Sequence, residues 1–147
     1  MNIQCTWKNG MLFSATNGTH VAGMDGKKPF GAETELSPKE LVIAGLCGCT
    51  AMDVVGFMKK HKQSVSSFAV DANVTASQSG HPFVFTSVAL AFKMTGEVDA
   101  SILLESIRLS QTKYCGVSAM LAKAVPISYT VELNGQKIGE GKAEFAE

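Results

Sequence analysis

The 147-residue sequence has no surplus of charge, with thirteen lysines and arginines set against thirteen aspartates and glutamates. No basic stripe stands out from that balance, so there is nothing to hold a phosphate backbone and nucleic acid is not an expected partner. Arginine is nearly missing, and Arg108 is the only one. Internal repeats, low-complexity segments and linkers are absent as well, so residues 1–147 are expected to form a single domain. Met1-Asn-Ile-Gln lacks the basic-then-apolar pattern of a secretory signal. The expectation is therefore a cytoplasmic protein with reduced thiols, in which any disulfide is transient.

What is present is an ordinary globular composition, 46% hydrophobic and 18% charged, in a chain long enough to bury a core without disulfide staples. The first thirty residues alternate in the strand manner, with Asn9-Gly10, Asn17-Gly18 and Asp25-Gly26 as three hairpin-type turns. A small antiparallel meander is predicted there. Ser37-Pro38-Lys39-Glu40 then has the form of a helix start, with Ser as N-cap, Pro at the first helical position and Glu closing a capping box. The helix is predicted to run to about Lys60, where basic residues suit a C-terminus.

Between Leu41 and Met58 this helix carries Asp53 as its only charge. That charge near the centre, and amphipathic elements on both sides, argue against a membrane span. The expected alternative is a helix buried on nearly all sides, in the middle of a domain or clasped in a dimer, with Gly45, Gly48 and Gly56 admitting other backbone. Downstream, Phe68–Val74 and Val84–Met94 alternate as a hairpin around Ser77-Gln-Ser-Gly80. Asp99 can cap a second helix ending near Tyr114, with Leu103, Leu104, Ile107 and Ser110 on its inner face. Gly116 breaks it, a third helix covers Val117–Ala124, and two strands around Asn134-Gly135 close an α+β chain.

Chemistry rests on the cysteines. Cys47 and Cys49 lie two apart on one helix and so point about 200° from each other, which prevents a bond between them without unwinding. Cys49 shares a face with Leu46, Met52 and Asp53, and Cys47 shares one with Ile43, Thr50, Ala51 and Val54. Cys5 and Cys47 read as small inert hydrophobes. Cys115 lies at the start of the third helix, where unpaired amides favour a thiolate, whereas Asp53 and burial should disfavour one at Cys49. Electrostatics alone therefore rank Cys115 as the more reactive. His20, His61 and His81 lie far from all four cysteines, so no metal site is expected.

Ser37-Pro-Lys-Glu-Leu, Leu46-Cys-Gly-Cys-Thr-Ala-Met-Asp-Val-Val55 and Lys113-Tyr-Cys-Gly-Val-Ser-Ala-Met-Leu121 closely resemble the osmotically inducible protein C (OsmC) and organic hydroperoxide resistance superfamily. Within it the chain looks most like a divergent branch of small OsmC-like proteins. The resemblance implies antiparallel sheets around a long buried central helix, an intertwined homodimer, and no bound cofactor or metal. It also implies a thiol peroxidase acting on organic hydroperoxides, with Cys49 as peroxidatic residue and Cys115 as resolving residue. An external dithiol would then reduce the Cys49–Cys115 disulfide. Peroxidases of this superfamily hold the thiolate with an arginine from the N-terminal region and a glutamate directly after the helix-opening proline. Here Lys39 follows Pro38, Glu40 comes one place later, and the first forty residues contain no arginine. Two other readings stand beside this one: a non-enzymatic protein binding an apolar ligand among Met52, Met58, Met94 and Met120, and a slow redox-responsive or persulfide-handling protein.

Overall fold

The computed structural model describes residues 1–146. The chain divides into two compact units, Met1–Ala44 and the remainder from Gly45 onward. In the first unit β1 (Gln4–Asn9), β2 (Leu12–Thr16) and β3 (Val21–Met24) form an antiparallel sheet in sequence order. Gly10 and Gly18 take positive φ at the two turns, where a side chain would be strained. Asp25-Gly26 is not a third hairpin. The Asp25 carboxylate instead accepts the Thr34 amide (3.1 Å), the Thr34 hydroxyl (2.9 Å) and the Gly26 amide (2.7 Å), and so closes a loop before the helix.

Helix α1 spans Pro38–Lys60, and its start is the predicted capping box. Glu40 accepts from the Ser37 amide at 2.7 Å while the Ser37 hydroxyl accepts from the Glu40 amide at 3.4 Å. Of the two ways in which this helix was expected to be buried, the middle of its own domain does not hold. Only the stripe Leu46, Thr50, Val54 and Met58 is fully buried, and Met52 is 76% exposed. A side chain at Gly45, Gly48 or Gly56 would meet open space. Apolar composition alone does not say how many faces of a helix its own chain covers.

The second unit carries a four-stranded sheet in the order β4 (Ser64–Ala76), β5 (Phe85–Glu97), β6 (Ile127–Leu133), β7 (Gln136–Lys142). Pairing is antiparallel except for β5 with β6, which run parallel and are joined by a helical crossover. That crossover consists of α2 (Ala100–Leu109), a π-helical turn (Ser110–Tyr114) and α3 (Gly116–Leu121). Asp99 caps α2 as predicted, accepting from the amides of Ser101 and Ile102. The helical path leaves its axis at Cys115, one residue before the glycine predicted to break it. Asn134 and Gly135 both have positive φ, as the tight turn between β6 and β7 requires.

Alternation places Val88, Leu90, Phe92 and Met94 of β5 on one buried face with Ile127, Tyr129 and Val131 of β6. Leu103 and Ile107 of α2 add to the same core. Phe92 stands edge-on to Tyr129 at 5.9 Å. A side chain at Gly139 would overlap Leu104, which is why the strand beneath α2 is bare there.

Candidate active site

Two segments bring the reactive side chains together. Along α1 the buried stripe divides the helix, leaving Cys49 and Asp53 on one flank, one turn apart, and Cys47 on the other. The second segment is the π-turn, closed by the Cys115 amide donating to the Ser110 carbonyl at 3.0 Å. Within this turn Ser110 and Gln111 are both fully buried. Cys115 then acts as N-cap of α3, its Sγ accepting the Ser118 amide at 3.3 Å.

Cys49 and Cys115, predicted as a pair, are neighbouring groups. Cys115 has no solvent exposure and Cys49 is half-buried. Burial pushes the Cys115 thiol above the ordinary cysteine range, the Ser118 hydroxyl and amide pull it back, and the neighbouring Cys49 sulfur adds to the rise. At Cys115 this corrects the expectation of a favoured thiolate made from the sequence. The helix-start amide is there, but the loss of water outweighs it.

Cys47 points elsewhere. Burial raises its thiol pKa, and the charge of Asp71 on β4 raises it further. Cys5 lies on the exposed strand β1 rather than in a core. Arg108 forms a bidentate pair with Glu105, Nε at 2.7 Å and Nη2 at 2.6 Å, and both side chains are about half exposed. Glu40 is occupied by the capping box and by Lys27 at 2.6 Å, which hold its pKa down to about 2.

Behind the two thiols runs a chain of buried polar groups that sequence reasoning did not assemble. The Ser110 hydroxyl donates to Asp53 Oδ2 at 2.8 Å. Its only proton is thereby used, so in its 2.8 Å contact with Thr50 it is the acceptor. Thr50 Oγ1 in turn accepts Gln111 Nε2 at 2.8 Å, and Gln111 Oε1 accepts the Ser118 hydroxyl at 3.2 Å. No buried side-chain polar atom among the described residues is left without a partner. The signal in the sequence was Ser110 at an apolar helical position and Thr50 on an apolar helix.

An open groove of about 410 Å³ continues from this flank, lined by Met52, Asp53, Gly56, Phe57, Lys60 and Tyr114. Phe57 and Tyr114 meet there at 5.7 Å between ring centroids. The four methionines proposed as one ligand lining are split, since Met58 and Met94 belong to the core while Met52 and Met120 face outward. Among the described residues no group of three or more His, Cys, Asp or Glu side chains is placed to hold a metal ion.

The family model for OsmC-like proteins matches residues 31–130, a span that includes both cysteine segments. The chain belongs to the OsmC-like family. Protein YhfA of Escherichia coli K12 is 31% identical over 135 residues, covering 90% of this chain and 98% of that one. An OsmC-like protein from Mycoplasma pneumoniae superposes with a TM-score of 0.78 at 12% identity, over 90% of this chain and 95% of its own. An organic hydroperoxide resistance protein from Legionella pneumophila gives a TM-score of 0.68 at 16% identity, over 89% and 95%. The α+β fold with two sheets and three helices is the one that OsmC-like proteins share.

Proposed function

We propose that the chain is a cysteine-based thiol peroxidase that reduces organic hydroperoxides, with Cys49 as the peroxidatic residue and Cys115 as the resolving one. The observation that carries this reading is the nearness of two thiols of unequal access, one half-buried and one fully buried. A peroxide can reach only the first. The Cys49 thiolate attacks the outer oxygen of ROOH, the O–O bond breaks, and the alkoxide leaves as the alcohol with one proton. Cys115 then gives up its proton and attacks the sulfur of the Cys49 sulfenic acid, expelling hydroxide as water and forming the disulfide. An external dithiol restores both thiols. Met52, Phe57 and Tyr114 suit the alkyl part of such a substrate. The organic hydroperoxide resistance protein of Legionella supports the substrate class by its fold, and a reducing cytoplasm is the compartment in which the cycle would close.

We also propose a homodimer whose second copy covers the exposed face of α1, where Met52 and the open glycines lie. The peroxidase reading is tested with cumene hydroperoxide and dithiothreitol. The wild-type protein should consume the peroxide, and Cys49→Ser should abolish consumption. No consumption by the wild type above the reagent background would overturn it.

A further inference from the structure

Ser118 has one hydroxyl proton and two acceptors within reach, Gln111 Oε1 at 3.2 Å and Cys115 Sγ. Its backbone amide already donates to the same sulfur at 3.3 Å. Which acceptor holds the hydroxyl depends on the charge of the sulfur. A neutral thiol is a weak acceptor and loses to an amide oxygen. A thiolate is anionic and wins.

The direction of the buried chain matters here. Because Asp53 takes the proton of Ser110, Ser110 must accept from Thr50, Thr50 must accept from the Gln111 NH₂, and the Gln111 oxygen is left to face Ser118. A flipped Gln111 would offer Ser118 a donor in place of an acceptor. A partly exposed carboxylate on α1 thus fixes the orientation of a hydroxyl on α3.

We propose that Ser118 is a catalytic residue that receives the negative charge on Cys115, and that Gln111, oriented by the Asp53–Ser110–Thr50 chain, holds its hydroxyl until that charge develops. This deepens the peroxidase reading and rests on its Cys49–Cys115 pair. The charge appears when an external thiolate attacks Cys49 Sγ in the disulfide. A new S–S bond forms at Cys49, the old one breaks, and the electron pair leaves on Cys115 Sγ. Attack falls on Cys49 because Cys115 is fully buried. With its hydroxyl turned to the sulfur, Ser118 then supplies two donors to a fully buried leaving group.

The test uses the full chain with Cys5 and Cys47 replaced by Ser, its disulfide formed with diamide so that no peroxide chemistry is required. Ser118→Ala should slow reduction by dithiothreitol about tenfold at neutral pH, and Ser118→Thr should restore it. In a variant that also carries Cys49→Ser, titration of thiolate ultraviolet absorbance should move to higher pH with Ser118→Ala. It should move to lower pH with Gln111→Met, which removes the competing acceptor and leaves the hydroxyl to the sulfur. A purely structural role would not give opposite signs. Equal reduction rates for Ser118→Ala and its parent, or Gln111→Met shifting the titration upward, would overturn the proposal. The Gln111→Met sign decides the matter even if Ser118→Ala does not fold. A chain that shows these effects yet consumes no cumene hydroperoxide defeats the peroxidase reading and leaves the role of Ser118 standing.

Discussion

The Ser110 hydroxyl donates to the Asp53 carboxylate at 2.8 Å, joining the π-turn to α1 across 57 residues of sequence. Asp53 therefore serves as the anionic end of a buried chain in addition to standing one turn from Cys49. Removing it leaves Ser110 without its charged acceptor. Asp53→Ala should lower the unfolding free energy in urea by about 2 kcal/mol, and Asp53→Asn by less because its amide oxygen still accepts. Equal stability of Asp53→Ala and wild type would mean that water replaces the carboxylate.

Stoichiometric organic hydroperoxide should link Cys49 to Cys115 within one chain. Cys47 lies on the opposite flank of α1 beside Asp71, where burial and charge both keep its thiol protonated. Cys5 lies on β1, in the other compact unit. Peptide mapping after one equivalent of peroxide should recover a single cross-link, with Cys5 and Cys47 still open to alkylation. A Cys47–Cys115 cross-link with Cys49 free would reverse the assignment of roles.

Much of the fold was readable because local rules and tertiary context agree in this chain. Ser37 with Glu40, Asp99, and Asn134-Gly135 each satisfy backbone groups within a few residues, so their signal is local and survives folding. Asp25-Gly26 misled because the Asp25 carboxylate is used by Thr34, nine residues on. The pairing of Cys49 with Cys115 entered through the family resemblance, since nothing local joins α1 to the π-turn. The amide at Cys115 was legible, but its burial was not, because burial is fixed by segments distant in sequence. Gln111 had no legible role, as a π-turn carries no composition signal of its own.

Glu40 illustrates how acid should act on the helix start. Lys27 and the Ser37 amide and hydroxyl lower its pKa from an ordinary 4.5 to about 2. A carboxylate depressed in the folded state contributes stability that is fully present above its unfolded pKa and is lost as pH falls through the folded one. Its contribution should therefore fade between pH 4.5 and about 2, with none of the change at neutral pH. Glu40→Gln should flatten the pH dependence of unfolding in that window. An acid limb identical to that of wild type would show that other carboxylates control it.

The exposed face of α1 leads to the prediction on assembly. This helix is long and apolar enough by length and composition to cross a bilayer, yet only 22% of its most apolar window is buried within one chain. Met52 is 76% exposed, and Gly45, Gly48 and Gly56 offer room for close backbone approach. Stable interfaces of ordinary size bury about 1,600 Å² in total, and an apolar helix face is suited to the centre of one. Sedimentation equilibrium at micromolar concentration should give twice the 15.5 kDa chain mass. Met52→Glu places a charge at the middle of that face and should weaken association at least about tenfold, because the carboxylate loses its water when the copies meet. A 15.5 kDa species for the wild type across the micromolar range would rule the dimer out, and a Met52→Glu protein that associates like wild type would move the interface off this face of α1.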